Sequence, residues 1–244
     1  MAATCGLQTL LDTAHNALVQ KGLIELQTQQ ELGLSHPACM QISERSGICY
    51  GANQSWYRTV WQRRAGCGPT TGAHVMWYLA HTRADCRRLC PFDGANRQAM
   101  LRLMETMWQY ITPTVRGVNR PEIFSEGIER YGKDRGVALR CETLHIPYGS
   151  QRPDAAAVSR FLSNAFAQNL PVAFLNLSNG LEKRLDSWHW VTLVDFDPLA
   201  MTATMYDQCR CTRIDIGLWL HSTTGDGAFV VAQQAAFSAA RPTM

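Results

Sequence analysis

The chain has 244 residues, a length suited to one domain with a substantial extension. Hydrophobic residues make up 46% and charged residues 18%, and seven Trp, eight Phe and seven Tyr need burial, which excludes wholesale disorder. The formal net charge of +3, from 23 basic and 20 acidic residues, gives no reason to expect nucleic acid or a membrane surface as the main partner. The longest apolar run, about Val75 to Ala80, falls far short of the roughly 20 residues of a spanning helix. The first residues lack the basic segment of a secretory signal. The expectation is a cytoplasmic protein, or one delivered to another cell by a route without a cleavable signal peptide.

Residues 4 to 30 carry Leu7, Leu10, Leu11, Ala14 and Leu18 at mostly helical spacing and read as helix. Residues 33 to 56, with Gly33, Pro37, Gly47 and Gly51, read as a long irregular loop. Gly68-Pro69 followed by Ala73, Met76, Leu79 and Ala80 predicts a helix over about 68–81, with proline just inside its start. Further helices are expected at 95–111, at 119–135 with Asn119 as cap and Gly136 as stop, and at 154–168. Strands dominate the rest: 137–141, 171–177, 188–196, 201–206, 211–216 and 228–231. Helices first and strands later make the class α+β with a mostly antiparallel sheet.

The nine cysteines are an odd number, and without a signal peptide they are expected to be reduced. Cys86-x3-Cys90 and Cys209-x-Cys211 are not zinc-knuckle spacings, and no second pair completes either one, so no metal site is expected. Cys67 differs from the others because it lies between Gly66 and Gly68 immediately before a helix start. Free N–H groups and the helix dipole favour an anionic nucleophile at such a position, and the glycines would let a substrate backbone approach the sulfur. A buried cysteine at a tight junction would look the same.

A nucleophilic thiol needs a base. Of seven histidines, His74 and His81 ride on the Cys67 helix and lead away from the thiol. His189 opens a β-branched strand between Trp188 and Trp190, which either wall a groove or fill the core. Asp195 is too far along the same strand to orient it, at about 3.3 Å per residue. A hairpin centred on Pro198 would instead set Asp207 opposite His189, with Cβ atoms about 4.5–5.5 Å apart. A slip of one residue would move them to opposite faces. Asn176 on the neighbouring strand is the uncharged alternative.

The run Gln62…Gly66-Cys67-Gly68-Pro69, with Trp188-His189-Trp190-Val191-Thr192-Leu193 and Tyr206-Asp207, resembles the papain-like cysteine peptidases. Within them it resembles the branch of double-glycine leader peptidases of bacteriocin exporters and their stand-alone relatives. The resemblance covers roughly residues 60 to 231. It implies a papain-like α+β fold with Cys67 as nucleophile, His189 as base and Asp207 as orienting acid. Gln62 would be the oxyanion donor, although it precedes Cys67 by five residues where the family has six. The expected activity is hydrolysis of a peptide, isopeptide or amide bond in a peptide or protein substrate, without cofactor. Acyl transfer through the same triad and a non-catalytic peptide-binding module are the alternatives. The expected organisation is an extension over 1–59 and a peptidase domain over 60–244 with a helical insertion near 83–136.

Overall fold

The computed structural model describes residues 32–235 apart from residues 46 and 93, so the helix expected at 4–30 lies outside the described residues. In chain order the elements are β1 (Leu32–Gly33), β2 (Gln41–Glu44), β3 (Gly47–Tyr50), α1 (Val60–Ala65), α2 (Cys67–Thr82), α3 (Arg97–Tyr110) and α4 (Pro121–Asp134). There follow β4 (Leu139–Ile146), α5 (Ala155–Ala167), β5 (Val172–Asn176), β6 (His189–Asp197), β7 (Thr202–Asp207), β8 (Arg210–Asp215), α6 (Ile216–Ser222) and β9 (Gly227–Gln234). The class is mixed, with helices packed on an antiparallel sheet whose strands run β4-β9-β5-β6-β7-β8 and whose β6 also pairs with β1.

The helix starts follow local chemistry. Thr59, Asn96, Asp154 and Asp215 each accept a backbone N–H from the first turn they cap. Pro121 opens α4, with Arg120 rather than Asn119 at the cap position. Gly136 (φ +69°) stops α4 as expected, and Val137 N–H returns to the Gly132 carbonyl.

Helix α2 is the axis of the molecule, since every residue from Cys67 to Ala80 is buried. A helix apolar on all sides is a core helix, and α3, α4, β5 and β6 surround this one. Trp77 and Tyr78 are wholly enclosed, and truncating either would cost about 3–5 kcal/mol by the behaviour of large core aromatics.

Two sequence expectations change here. The stretch expected as loop over 33–56 contains the β2–β3 hairpin, and its Leu34, Met40, Ile42 and Trp56 join the same core as α2. Met100, Met104, Phe124 and Ile128, from the region expected as a helical insertion, pack in that core as well. The cysteines are not all reduced: Cys49 of β3 is bonded to Cys209, 160 residues away.

Candidate active site

Cys67 is the first residue of α2. Helix α1 ends at Ala65 and Gly66 makes the joint. The glycines on either side serve packing rather than substrate approach. A Cβ on Gly66 would strike the Gln62 carbonyl and the Tyr57 ring, and one on Gly68 would come within 2.9 Å of Val118. The joint therefore closes tightly and presents Cys67, only 9% exposed, at the helix start.

His189 opens β6, and its Nε2 shares a hydrogen bond of 2.9 Å with Asp207 Oδ1. The Cys67 side chain is the other polar neighbour that acts on the imidazole. Burial works against a charged imidazole, but the hydrogen bonds and charges of Asp207 and Cys67 outweigh it and push the His189 pKa up to about 10. The structure thus brings Cys67, His189 and Asp207 together.

The register differs from the hairpin centred on Pro198. The strands close at Asp197↔Thr202 around a four-residue loop, and Asp197 Oδ1 caps that loop by accepting from Leu199 and Ala200 N–H. A bulge between Leu193 and Asp195 then shifts the pairing to Leu193↔Met205 and Thr192↔Tyr206. Asp207 lies diagonal to His189, across from Val191. Diagonal neighbours share a face within reach of long side chains. Without the bulge Asp207 would fall opposite Thr192 and face away from His189. Asp195 Oδ1 accepts the Thr204 N–H at the bulge, so Asp195 serves the ladder rather than the imidazole. Asn176 is likewise engaged elsewhere, donating to the Asp186 carbonyl and accepting from Trp219 Nε1.

Gln62, the expected oxyanion donor, is engaged at its own helix start. Its spacing places it third in α1, where its Oε1 accepts from Thr59 N–H and Oγ1–H and closes a capping box. Its Nε2 donates to Glu105 at 2.9 Å, and it is absent from the lining of the cavity beside Cys67.

Several residues of the site have no sequence signature that singles them out. His74 is fully buried; its Nε2 accepts the Ala52 N–H at 2.7 Å and its Nδ1 pairs with Thr192 Oγ1. Burial lowers its pKa to about 4 and keeps it neutral. Ala52 in turn accepts the Cys209 N–H, and the Cys49–Cys209 bond fixes the same point. Gln208 and Cys209, both at positive φ, form the tight β7–β8 turn just after Asp207. Asp186, His189 and Asp207 set three ligand atoms within 4.8 Å, a nitrogen–oxygen set of the kind that holds a divalent cation.

A cavity of about 200 Å³ opens beside Cys67. Trp188 and Trp190 part company here. Trp190 is buried against Phe124 and donates to the Val118 carbonyl. Trp188 is 55% exposed, lines the cavity and sits at φ +58°. A bulky residue held in the left-handed region costs on the order of 1–3 kcal/mol and marks a place worth a functional question.

No protein-family model matches the sequence, and no curated protein matches it. Among solved structures, the chain is similar to the Pseudomonas avirulence protein AvrPphB, with 8% identity and a TM-score of 0.35 over 70% of this chain and 92% of that one. Among the described residues no helix is long and apolar enough to cross a membrane.

Proposed function

We propose that the chain is a papain-like cysteine peptidase whose triad is Cys67, His189 and Asp207. The observation that carries this reading is the imidazole of His189, hydrogen-bonded to Asp207 and acted on by Cys67, a cysteine at a helix start beside an open cavity. Asp207 accepts the Nε2 proton and fixes the tautomer, so Nδ1 receives the proton of the Cys67 thiol. The sulfur forms a bond to the substrate carbonyl carbon. The carbonyl oxygen becomes an oxyanion, stabilised by the backbone N–H of Cys67, one of the first-turn donors without an intrahelical acceptor. The C–N bond then breaks and His189 returns the proton to the leaving amine. Water hydrolyses the thioester through the same imidazole and releases the acid. The raised proton affinity of His189 suits it to hold the proton between these steps.

Gln62 has no part in this scheme. No metal or organic cofactor is required, and the substrate is a peptide or protein. The narrower assignment to the double-glycine leader peptidases is supported by the motifs around Cys67 and His189.

The test is turnover of an internally quenched peptide library with chelator present, by the wild type and by Cys67→Ala. Turnover by the wild type and none by Cys67→Ala is expected, with iodoacetamide labelling Cys67 ahead of the other free thiols. Burial pushes the thiols of Cys39 and Cys86 up to about 11 and that of Cys141 up to about 12, so these label slowly. Equal turnover by the two proteins, or a silent Cys67, would end the proposal. A conjugate formed with an added primary amine in place of the free acid would reassign the activity to acyl transfer.

A further inference from the structure

We infer that the cavity beside Cys67 selects a peptide presenting a bulky apolar side chain flanked by acidic ones. The inference rests on Cys67 marking the substrate site. At about 200 Å³ the cavity is smaller than a typical small-molecule pocket and suits one large side chain. Its wall is assembled from three separate segments. Trp61 comes from α1, Val115 and Arg116 from the turn between α3 and α4, and Leu177 and Trp188 from the segment joining β5 to β6.

Two features make this wall unlike an ordinary surface. The first is its apolar content in solvent, with Trp61 46%, Trp188 55% and Val115 94% exposed. Single exposed apolar residues need no explanation, but a cluster around a nucleophile does. The Trp188 indole is held there by a backbone conformation that bulky residues rarely adopt. The second feature is charge. Arg64 and Arg116 line the same cavity and no lining residue is acidic. Neither guanidinium has a hydrogen-bond or carboxylate partner among the described residues. The nearby acidic groups, Asp186 and Asp207, gather instead at His189. A guanidinium pairs with carboxylate in a two-pronged geometry, so the ligand chemistry that completes this wall is apolar at its centre and anionic at its flanks.

The experiment is calorimetric titration of the Cys67→Ala protein with three capped peptides, otherwise of glycine and serine. One holds phenylalanine between two glutamates, one holds phenylalanine between two lysines, and one holds alanine between two glutamates. At low salt the first should bind about tenfold more tightly than either of the others. Adding Arg64→Gln and Arg116→Gln should bring the first two within about twofold, and Trp188→Ala should remove the advantage of phenylalanine over alanine. Equal affinity for the glutamate and lysine peptides overturns the inference. So does an acidic preference that survives the double arginine substitution, or an absence of binding by all three. Turnover of the same peptides by the protein with Cys67 intact separates the two proposals. Acidic selectivity without turnover leaves this one standing and removes the peptidase reading, and turnover without acidic selectivity does the reverse.

Discussion

The two sides of the candidate site are built in opposite ways. The thiol side is local: Thr59 caps α1, Gly66 joins it to α2, Gly68 admits Val118, and Cys67 follows from twelve consecutive residues, 59–70. The imidazole side draws on segments far apart in the chain. His189 begins β6, Asp207 ends β7 beyond a bulge, and the turn after Asp207 is tied to Cys49 and Ala52. The thiol side is therefore as stable as the core helix beneath it. The imidazole side depends on several tethers that can be cut one at a time without touching the chemistry.

Cutting the last tether before the chemistry should have the largest effect. Asp207→Asn keeps the shape and loses the charge that orients and stabilises the imidazolium, so kcat should fall by about 10²–10⁴-fold, with KM little changed. The same variant has a signature in stability. The folded pKa of His189 is raised above its ordinary value of 6.5 to about 10. Its contribution is therefore fully present below pH 6.5 and lost as pH rises through about 10. The gap in melting temperature between wild type and Asp207→Asn should be widest near pH 6 and close toward pH 10. A gap that widens with pH would mean that Asp207 does not sustain the imidazolium.

The same contrast explains what the sequence makes legible. Helix α2, its start at Gly66-Cys67-Gly68-Pro69 and the stop at Gly136 are set by neighbours in the chain, and the sequence places each within a residue or two. The pairing of His189 with Asp207 is also legible, but through two shifts that compensate. The four-residue loop displaces the register by an odd number of residues, and the bulge at Val194 makes the displacement even. Face alternation survives an even shift, so the right pair meets diagonally rather than directly. The Cys49–Cys209 bond and the burial of His74 depend on chain segments meeting from far apart, and no spacing rule contains them. Gln62 has a local signature of its own: Thr59-x-x-Gln62 is a capping box, and both ends of that box lie within the first turn of α1 and its cap.

Two tethers of the imidazole side invite separate tests. Replacing both cysteines of the 160-residue loop, Cys49→Ser with Cys209→Ser, should cost about 2–5 kcal/mol in denaturant unfolding. It should also lower kcat, because the released turn begins one residue after Asp207. Stability lost with kcat unchanged would show that the hydrogen bonds from Cys209 to Ala52 and from Tyr50 to Cys209 hold Asp207 unaided. His74 is the second tether. Its folded pKa of about 4 lies below the ordinary 6.5, so the unfolded chain binds the extra proton. Its contribution is full above pH 6.5 and is lost as pH falls toward 4, by about 3 kcal/mol at 1.36 kcal/mol per pKa unit. The urea midpoint should drop between pH 7 and 4.5, and His74→Gln should flatten that drop. An unchanged slope would place the acid sensitivity elsewhere.

The smallest effect belongs to the bulge. Asp195 Oδ1 replaces a ladder carbonyl for Thr204 N–H, and Arg213 stands 3.9 Å away. Asp195→Ala leaves that N–H without its acceptor at a partly buried position, a loss of about 1–2 kcal/mol. The bulge has other supports: Leu34 N–H donates to the Val194 carbonyl, β1 pairs with Phe196 and Asp195, and the Asp197 cap fixes the loop beyond. The register should therefore hold, with kcat changed by less than about threefold while the melting temperature falls. A loss of kcat as large as that of Asp207→Asn, with the protein still folded, would mean that one carboxylate keeps the bulge. Without it, β7 would slip by one residue and turn Asp207 to the far face of the sheet.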